Sequence, residues 1–185
     1  MKAVYLGAFR AYHPGFDILY QDINGLRDIG GDMMYVPLND FDFLIASPPC
    51  NFWSRIRMCN YSVYTLATGY LLPSILKKFI QSGKLFVVEN VSNIERFKKF
   101  GIFDLPCLKY KIGRHMYFTN IYLSNIELKH LRSLQVFEDL THMPSYNRQG
   151  GKNVHIVIDY FLKKVKAGCS IQPGCCFDNQ VRFSL

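Results

Sequence analysis

Two residues with reactive side chains stand at the ends of apolar runs. In LIASPPCNFW, residues 44–53, an apolar segment meets Pro48-Pro49 and then presents Cys50. Proline lacks the amide hydrogen and restricts the residue before it, so a strand arriving at Pro48 ends there and Cys50 is offered on a stiff loop. Further along, KLFVV, residues 84–88, runs into Glu89-Asn90-Val91. A carboxylate at the end of an otherwise apolar strand needs a polar reason to be there. A thiol and a carboxylate at one site make a nucleophile and an acid. A buried cysteine taken singly is commonly inert, so the chemistry depends on whether the intervening elements bring the two together.

The spacing between them predicts that they do. Leu66, Leu71, Leu72, Ile75, Leu76, Phe79 and Ile80 recur at helical intervals between Tyr64 and Ile80, with Pro73 expected to kink or split the helix and Ser82-Gly83 to stop it. The flanking runs DFLIA (42–46) and KLFVV (84–88) suit strands covered on both faces. Strand, helix, strand implies a parallel crossover, which puts both strand ends on one edge of a sheet. That is the edge where open α/β sheets bind ligands. Upstream, residues 3–8 and 17–22 read as short strands separated by Pro14-Gly15, and GLRDIGGDMMY reads as a loop. With no repeats and no low-complexity linker, the expectation is a single α/β domain over residues 1–185 with a mostly parallel sheet.

The net charge of +8 and the pI near 9.2 favour a polyanionic partner, nucleic acid first, unless the basic surface serves only solubility. Asn51, Phe52 and Trp53 follow Cys50, with Arg55 and Arg57 close behind. Aromatics beside arginines can stack on bases and hold phosphates, and Trp53 suits a core position equally well. The N-terminal MKAVYLGAFRAYHPGF has no sustained apolar stretch, and no run approaches the roughly 18 apolar residues of a membrane span. A cytoplasmic protein with reduced cysteines is expected. Cys169, Cys175 and Cys176 lack a CxxC pair and a nearby histidine, so no metal site is expected.

Pro48-Pro49-Cys50 after one apolar strand and Glu89-Asn90-Val91 after the next resemble the paired motifs of the cytosine-carbon-5 DNA methyltransferases. The resemblance covers about residues 17–123. It implies a truncated, Rossmann-like S-adenosylmethionine-dependent methyltransferase fold, with Cys50 as nucleophile, Glu89 as acid and Arg114 in GRHMYFTN bracing the base. Gly7, Asp22, Asp32, Pro49 and Asn153 would line the cofactor site, and Asn51, Trp53, Arg55 and Arg57 would meet DNA. Asp22 and Asp32 equally suit turn or capping positions, and Arg114 a phosphate contact or a surface charge. About 60 residues follow position 123, too few for the family's separate target-recognition domain, which implies relaxed sequence choice or a protein partner. A compact enzyme of this kind suits a phage. Only Leu6-Gly7-Ala8-Phe9 stands where the family has a longer glycine turn and helix, which leaves open a non-catalytic DNA-binding relic. RNA cytosine is the other open substrate.

Overall fold

The computed structural model describes residues 1–8, 12–53, 68–95, 101–141 and 152–169. Seven strands form one sheet: β1 (Lys2–Leu6), β2 (Asp17–Asp22), β3 (Ile29–Gly30), β4 (Phe43–Ala46), β5 (Leu85–Val91), β6 (Leu108–Ile112) and β7 (His115–Thr119). Their order is β3-β2-β1-β4-β5-β7-β6. The pairs from β3 to β5 are all parallel, and β7 runs antiparallel between β5 and β6. The protein is therefore α/β with a mostly parallel mixed sheet, compatible with a Rossmann-like fold.

Both faces are covered, which is why the central strands are apolar throughout. On one face α1 (Leu71–Ser82) contributes Leu72, Ile75, Leu76 and Phe79 to a cluster with Val4, Leu6, Leu44, Ala46, Phe86 and Val88. On the other, α3 (Lys152–Lys166) brings Val157, Ile158, Phe161 and Leu162 against Ala3, Tyr5, Phe43, Ile45, Val87 and Tyr117. The segment IVIDYFLKKV, residues 156–165, lies within this helix. Strand β4 alternates its residues between the two clusters, and each of its four residues is fully buried.

Several boundaries differ from the sequence expectation for local reasons. Strand β1 stops at Leu6 because Gly7 turns the chain with φ +71°. The segment GLRDIGGDMMY carries β3 and a 3-10 turn, Met33–Tyr35. Pro73 does not kink α1: it lies in the first turn, where an amide hydrogen has no helical acceptor, after a turn at Gly69-Tyr70. Residues 64–67 of the expected helix lie outside the described residues. Gly83 ends α1 in the left-handed region, donating to Ile80 O at 3.2 Å. Strand β5 runs three residues past KLFVV, because β7 pairs with Glu89, Asn90 and Val91 after β4 has turned away at Pro48. No helix among the described residues is long and apolar enough to cross a membrane.

The helical layer is joined by one carboxylate. Ser124 Oγ accepts from Glu127 N, and Glu127 Oε2 accepts from Ser124 N at 2.7 Å, a reciprocal cap at the start of α2 (Asn125–Thr141). Glu127 Oε1 also accepts from the Tyr160 hydroxyl at 2.6 Å and from Lys164 Nζ, both on α3. Burial alone pushes the Glu127 carboxyl up, but the hydrogen bonds from Lys164, Tyr160 and Ser124 outweigh it and hold it at about 2. A depressed carboxyl stabilises the fold above its unfolded pKa and ceases to do so as pH falls through the folded value. Denaturant unfolding should therefore show stability falling from about pH 4.5 towards pH 2, with a shallower fall in Glu127→Gln. Equal slopes in the two proteins would contradict this account.

Candidate active site

Strand register sets the site. Leu6 pairs with Gln21 on one side and Ala46 on the other, and Ala46 pairs with Val88. One step further along each strand, Gly7, Asp22, Ser47 and Glu89 follow in a row along the carboxyl edge. The strand order reverses between β1 and β4, so this row borders the crevice where a doubly wound sheet takes its ligand. The expected parallel crossover thus places the Cys50 loop and Glu89 at the same edge.

A buried hydrogen bond locks the two motifs together. Asn90 is 1% exposed; its side-chain Nδ2 donates to Pro48 O at 3.0 Å while its side-chain Oδ1 accepts from Val91 N at 2.9 Å. Beyond Pro49, which is half-buried, Trp53 N donates to Cys50 O at 2.9 Å and closes the turn. Phe52 and Trp53 meet edge to face at 4.6 Å between ring centroids, both in the core. A Cβ on Gly69 would come within 2.7 Å of the Phe52 ring, so that glycine makes room for the loop's anchor. Of the two readings of Trp53, the structure places its ring in the core at 1% exposure, without a free face for a base. Asn51 is exposed; Arg55 and Arg57 lie outside the described residues.

The Cys50 thiol is half-buried and held above its ordinary pKa, first by burial and then by the charge of Glu89, against a smaller opposing backbone hydrogen bond. Glu89 reaches His115, with Oε1 and Nδ1 2.5 Å apart. The same carboxylate, after burial itself, pushes up the hydroxyls of Tyr5 and Tyr117. Tyr5 hydrogen-bonds Ser47 Oγ at 2.8 Å, whereas the buried Tyr117 hydroxyl has no hydrogen-bond partner among the described residues. Arg114 occupies the exposed turn between β6 and β7, where its carbonyl accepts from Ser92 N at 2.8 Å. Its guanidinium makes no hydrogen bond to Glu89 among the described residues; the next residue, His115, does.

On the other side of β1, Gly7 packs so closely that a Cβ would meet Ser47 O at 2.6 Å, and its amide donates to Gln21 Oε1 at 2.9 Å. Gln21 Nε2 in turn donates to Gly31 O, so this buried side chain ties the turns after β1 and β3. Asp22 is buried at the end of β2 and accepts from Asn24 N at 3.3 Å. The exposed Asp32 caps the 3-10 turn, accepting from Met34 N at 2.9 Å. Asn153 lies in the first turn of α3. Cys175 and Cys176 are outside the described residues, among which no group of three or more metal-ligating side chains occurs.

His115 and Gln21 are the site residues that motif reading misses. The available signal for His115 was alternation: it stands two residues from Tyr117, which pairs with Glu89, and so lies diagonally across from that carboxylate on the same face. The search against protein-family models finds none that matches this chain, and no curated protein matches its sequence.

Two measurements check this geometry. Asn90→Ala leaves the Pro48 carbonyl without its buried donor, so thermal unfolding should show a loss of about 1–3 kcal/mol; a variant as stable as wild type would mean the bond carries no weight. In Glu89→Gln the negative charge beside Cys50 is gone, the thiol becomes more acidic, and more thiolate is present at a given pH. Alkylation of Cys50 by iodoacetamide, followed by mass spectrometry at pH 7.5 (roughly one unit below a free thiol's pKa), should be faster in Glu89→Gln. A slower or equal rate would contradict the electrostatic account.

Proposed function

We propose that this protein methylates carbon 5 of cytosine in DNA, with S-adenosylmethionine as methyl donor. The observation that carries the reading is the joined loop and strand: Cys50 and Glu89 share the crevice edge, and Asn90 binds the loop of one motif to the strand of the other. The basic charge fits a polyanionic substrate.

The carboxyl edge of β1 to β3 fits the adenosine half of such a cofactor. Asp22 ends β2, the position from which a carboxylate meets a ribose hydroxyl in doubly wound folds. Gly7 lets the turn after β1 lie close against the Ser47 backbone, since any side chain there would strike Ser47 O. Asp32 and Pro49 would complete the binding edge, with Asn153 from α3. When bound, the cofactor supplies an electrophilic methyl group.

The chain's own residues would do the rest. The target base leaves the stack at a cost of a few kcal/mol. Cys50 loses its proton and its sulfur forms a bond to carbon 6, while Glu89, protonated, donates to ring nitrogen 3 and neutralises the developing charge. After carbon 5 has gained its substituent, loss of the carbon 5 proton returns an electron pair to the ring. The sulfur–carbon bond then breaks, restoring the thiolate; the carbon 5 proton passes to water, and ring nitrogen 3 returns its proton to Glu89. Arg114, on the exposed β6–β7 turn, would meet DNA phosphate or brace the base. One observation favours the second reading, a non-catalytic DNA-binding relic: the Gly7 amide, at the cofactor turn, is already held by Gln21.

DNA containing 5-fluorocytosine separates the two. Fluorine cannot leave as the proton does, so incubation with S-adenosylmethionine should trap a covalent adduct on Cys50. Cys50→Ser, checked for a wild-type melting curve, should form none, and Glu89→Gln should form it more slowly. Calorimetry showing no S-adenosylmethionine binding by wild type, together with salt-sensitive DNA binding, would establish the relic instead.

A further inference from the structure

The Glu89–His115 contact has no counterpart among the motifs read from the sequence, and its surroundings give it a specific role. Glu89 and His115 side chains are 10% and 17% exposed, so the contact sits at the crevice wall with limited access to water. Oε1 is engaged by Nδ1, while Oε2 and Nε2 have no hydrogen-bond partner among the described residues. Among the described residues, the groups that face Glu89 are the Cys50 thiol beyond β4, Tyr5 from β1, and Tyr117 and His115 from β7. Of these, only the imidazole can carry a positive charge. Its ring is seated beside Tyr117, with centroids 6.4 Å apart, on the strand that pairs with β5 through Val91 and Glu89.

We propose that His115 is a positioning residue for Glu89: with Nδ1–H donating to Oε1, it fixes the carboxyl in one orientation and leaves Oε2 as the oxygen that meets the cytosine ring. This rests on the reading of Glu89 as the acid. In the proton transfer, the Oε2–H bond breaks, the proton passes to ring nitrogen 3, and the electron pair stays on Glu89. The carboxylate so formed keeps its charge-assisted hydrogen bond from Nδ1–H, at the moment when the crevice wall has least water to offer it. Arg114, one residue away, lies in the exposed turn outside β7, so the chain supplies this support from His115.

The test has one arm that needs no turnover. Nitrogen–proton correlation spectra of the imidazoles in wild type should show His115 protonated at Nδ1, with that nitrogen signal displaced in Glu89→Gln. An Nδ1 signal identical in both proteins would overturn the proposal, whatever the protein's activity. The second arm uses the 5-fluorocytosine adduct. His115→Leu should slow adduct formation by about 10- to 100-fold, the weight of one hydrogen bond to a charged group. His115→Asn, whose amide can donate from near the Nδ1 position, should recover most of that loss. A folded His115→Leu that reacts at the wild-type rate would overturn the proposal, as would a His115→Asn no faster than a folded His115→Leu. If His115→Leu fails to fold, His115→Asn and the spectra still decide. If wild type forms no adduct, the methyltransferase reading fails, and the spectra alone decide whether His115 holds Glu89.

Discussion

The parallel pairing of β4 between β1 and β5 is the constraint from which the remaining geometry follows. Strand β4 has only four residues, all fully buried, and its neighbours supply ladders on both sides. Because side chains alternate between faces, a slip of one residue would move Leu44 and Ala46 out of the cluster under α1 and put Phe43 and Ile45 there instead. That register is therefore strongly specified. It brings Gly7, Ser47 and Glu89 into line at the carboxyl edge, and everything said of the site presupposes it.

Polar groups at that edge are satisfied by a small number of side chains that reach across elements. Asn90 serves the Pro48 carbonyl, and Gln21 serves the turns after β1 and β3. At the opposite end of the crossover, Lys84 Nζ donates to the carbonyls of Leu38, Asn39 and Phe41, and Lys78 Nζ to those of Met34 and Val36. These lysines do what backbone amides would do in a regular element, which lets the irregular connection from β3 to β4 pack against α1 and β5 without orphaned carbonyls. A share of the basic composition is thus structural, and net charge by itself overstates the charge free to meet a polyanion.

The electrostatics of the crevice wall turn on one carboxylate among neutral acids. Burial first, and then Glu89, raises the thiol and two phenols around it, so the resting site opposes formation of the thiolate that nucleophilic chemistry needs. Neutralising Glu89, by a proton or by the imidazole beside it, removes its part of that opposition and leaves the part due to burial. Acid and nucleophile are thereby coupled: the protonation state that lets Glu89 donate is also the one in which Cys50 ionises more readily.

Local sequence rules determined the strands and helices that carry the site. The apolar run into Pro48-Pro49 ends β4, Gly83 ends α1, strand β2 spans the run DILYQD, and α3 follows a helical period, because each depends on residues close in the chain. Boundaries that depended on a distant partner came out differently: β5 continues through Glu89-Asn90-Val91 only because β7 pairs there, and Pro73 is harmless only because α1 starts at Leu71. The motifs singled out Cys50 and Glu89, and register alone put them on one edge. Asn90 as the tie between them, His115 as the group on Glu89, and Trp53 as core rather than surface were decided by tertiary structure. Hydrogen bonding and burial across the sheet depend on which strands become neighbours and in what register, and no spacing within one strand encodes that.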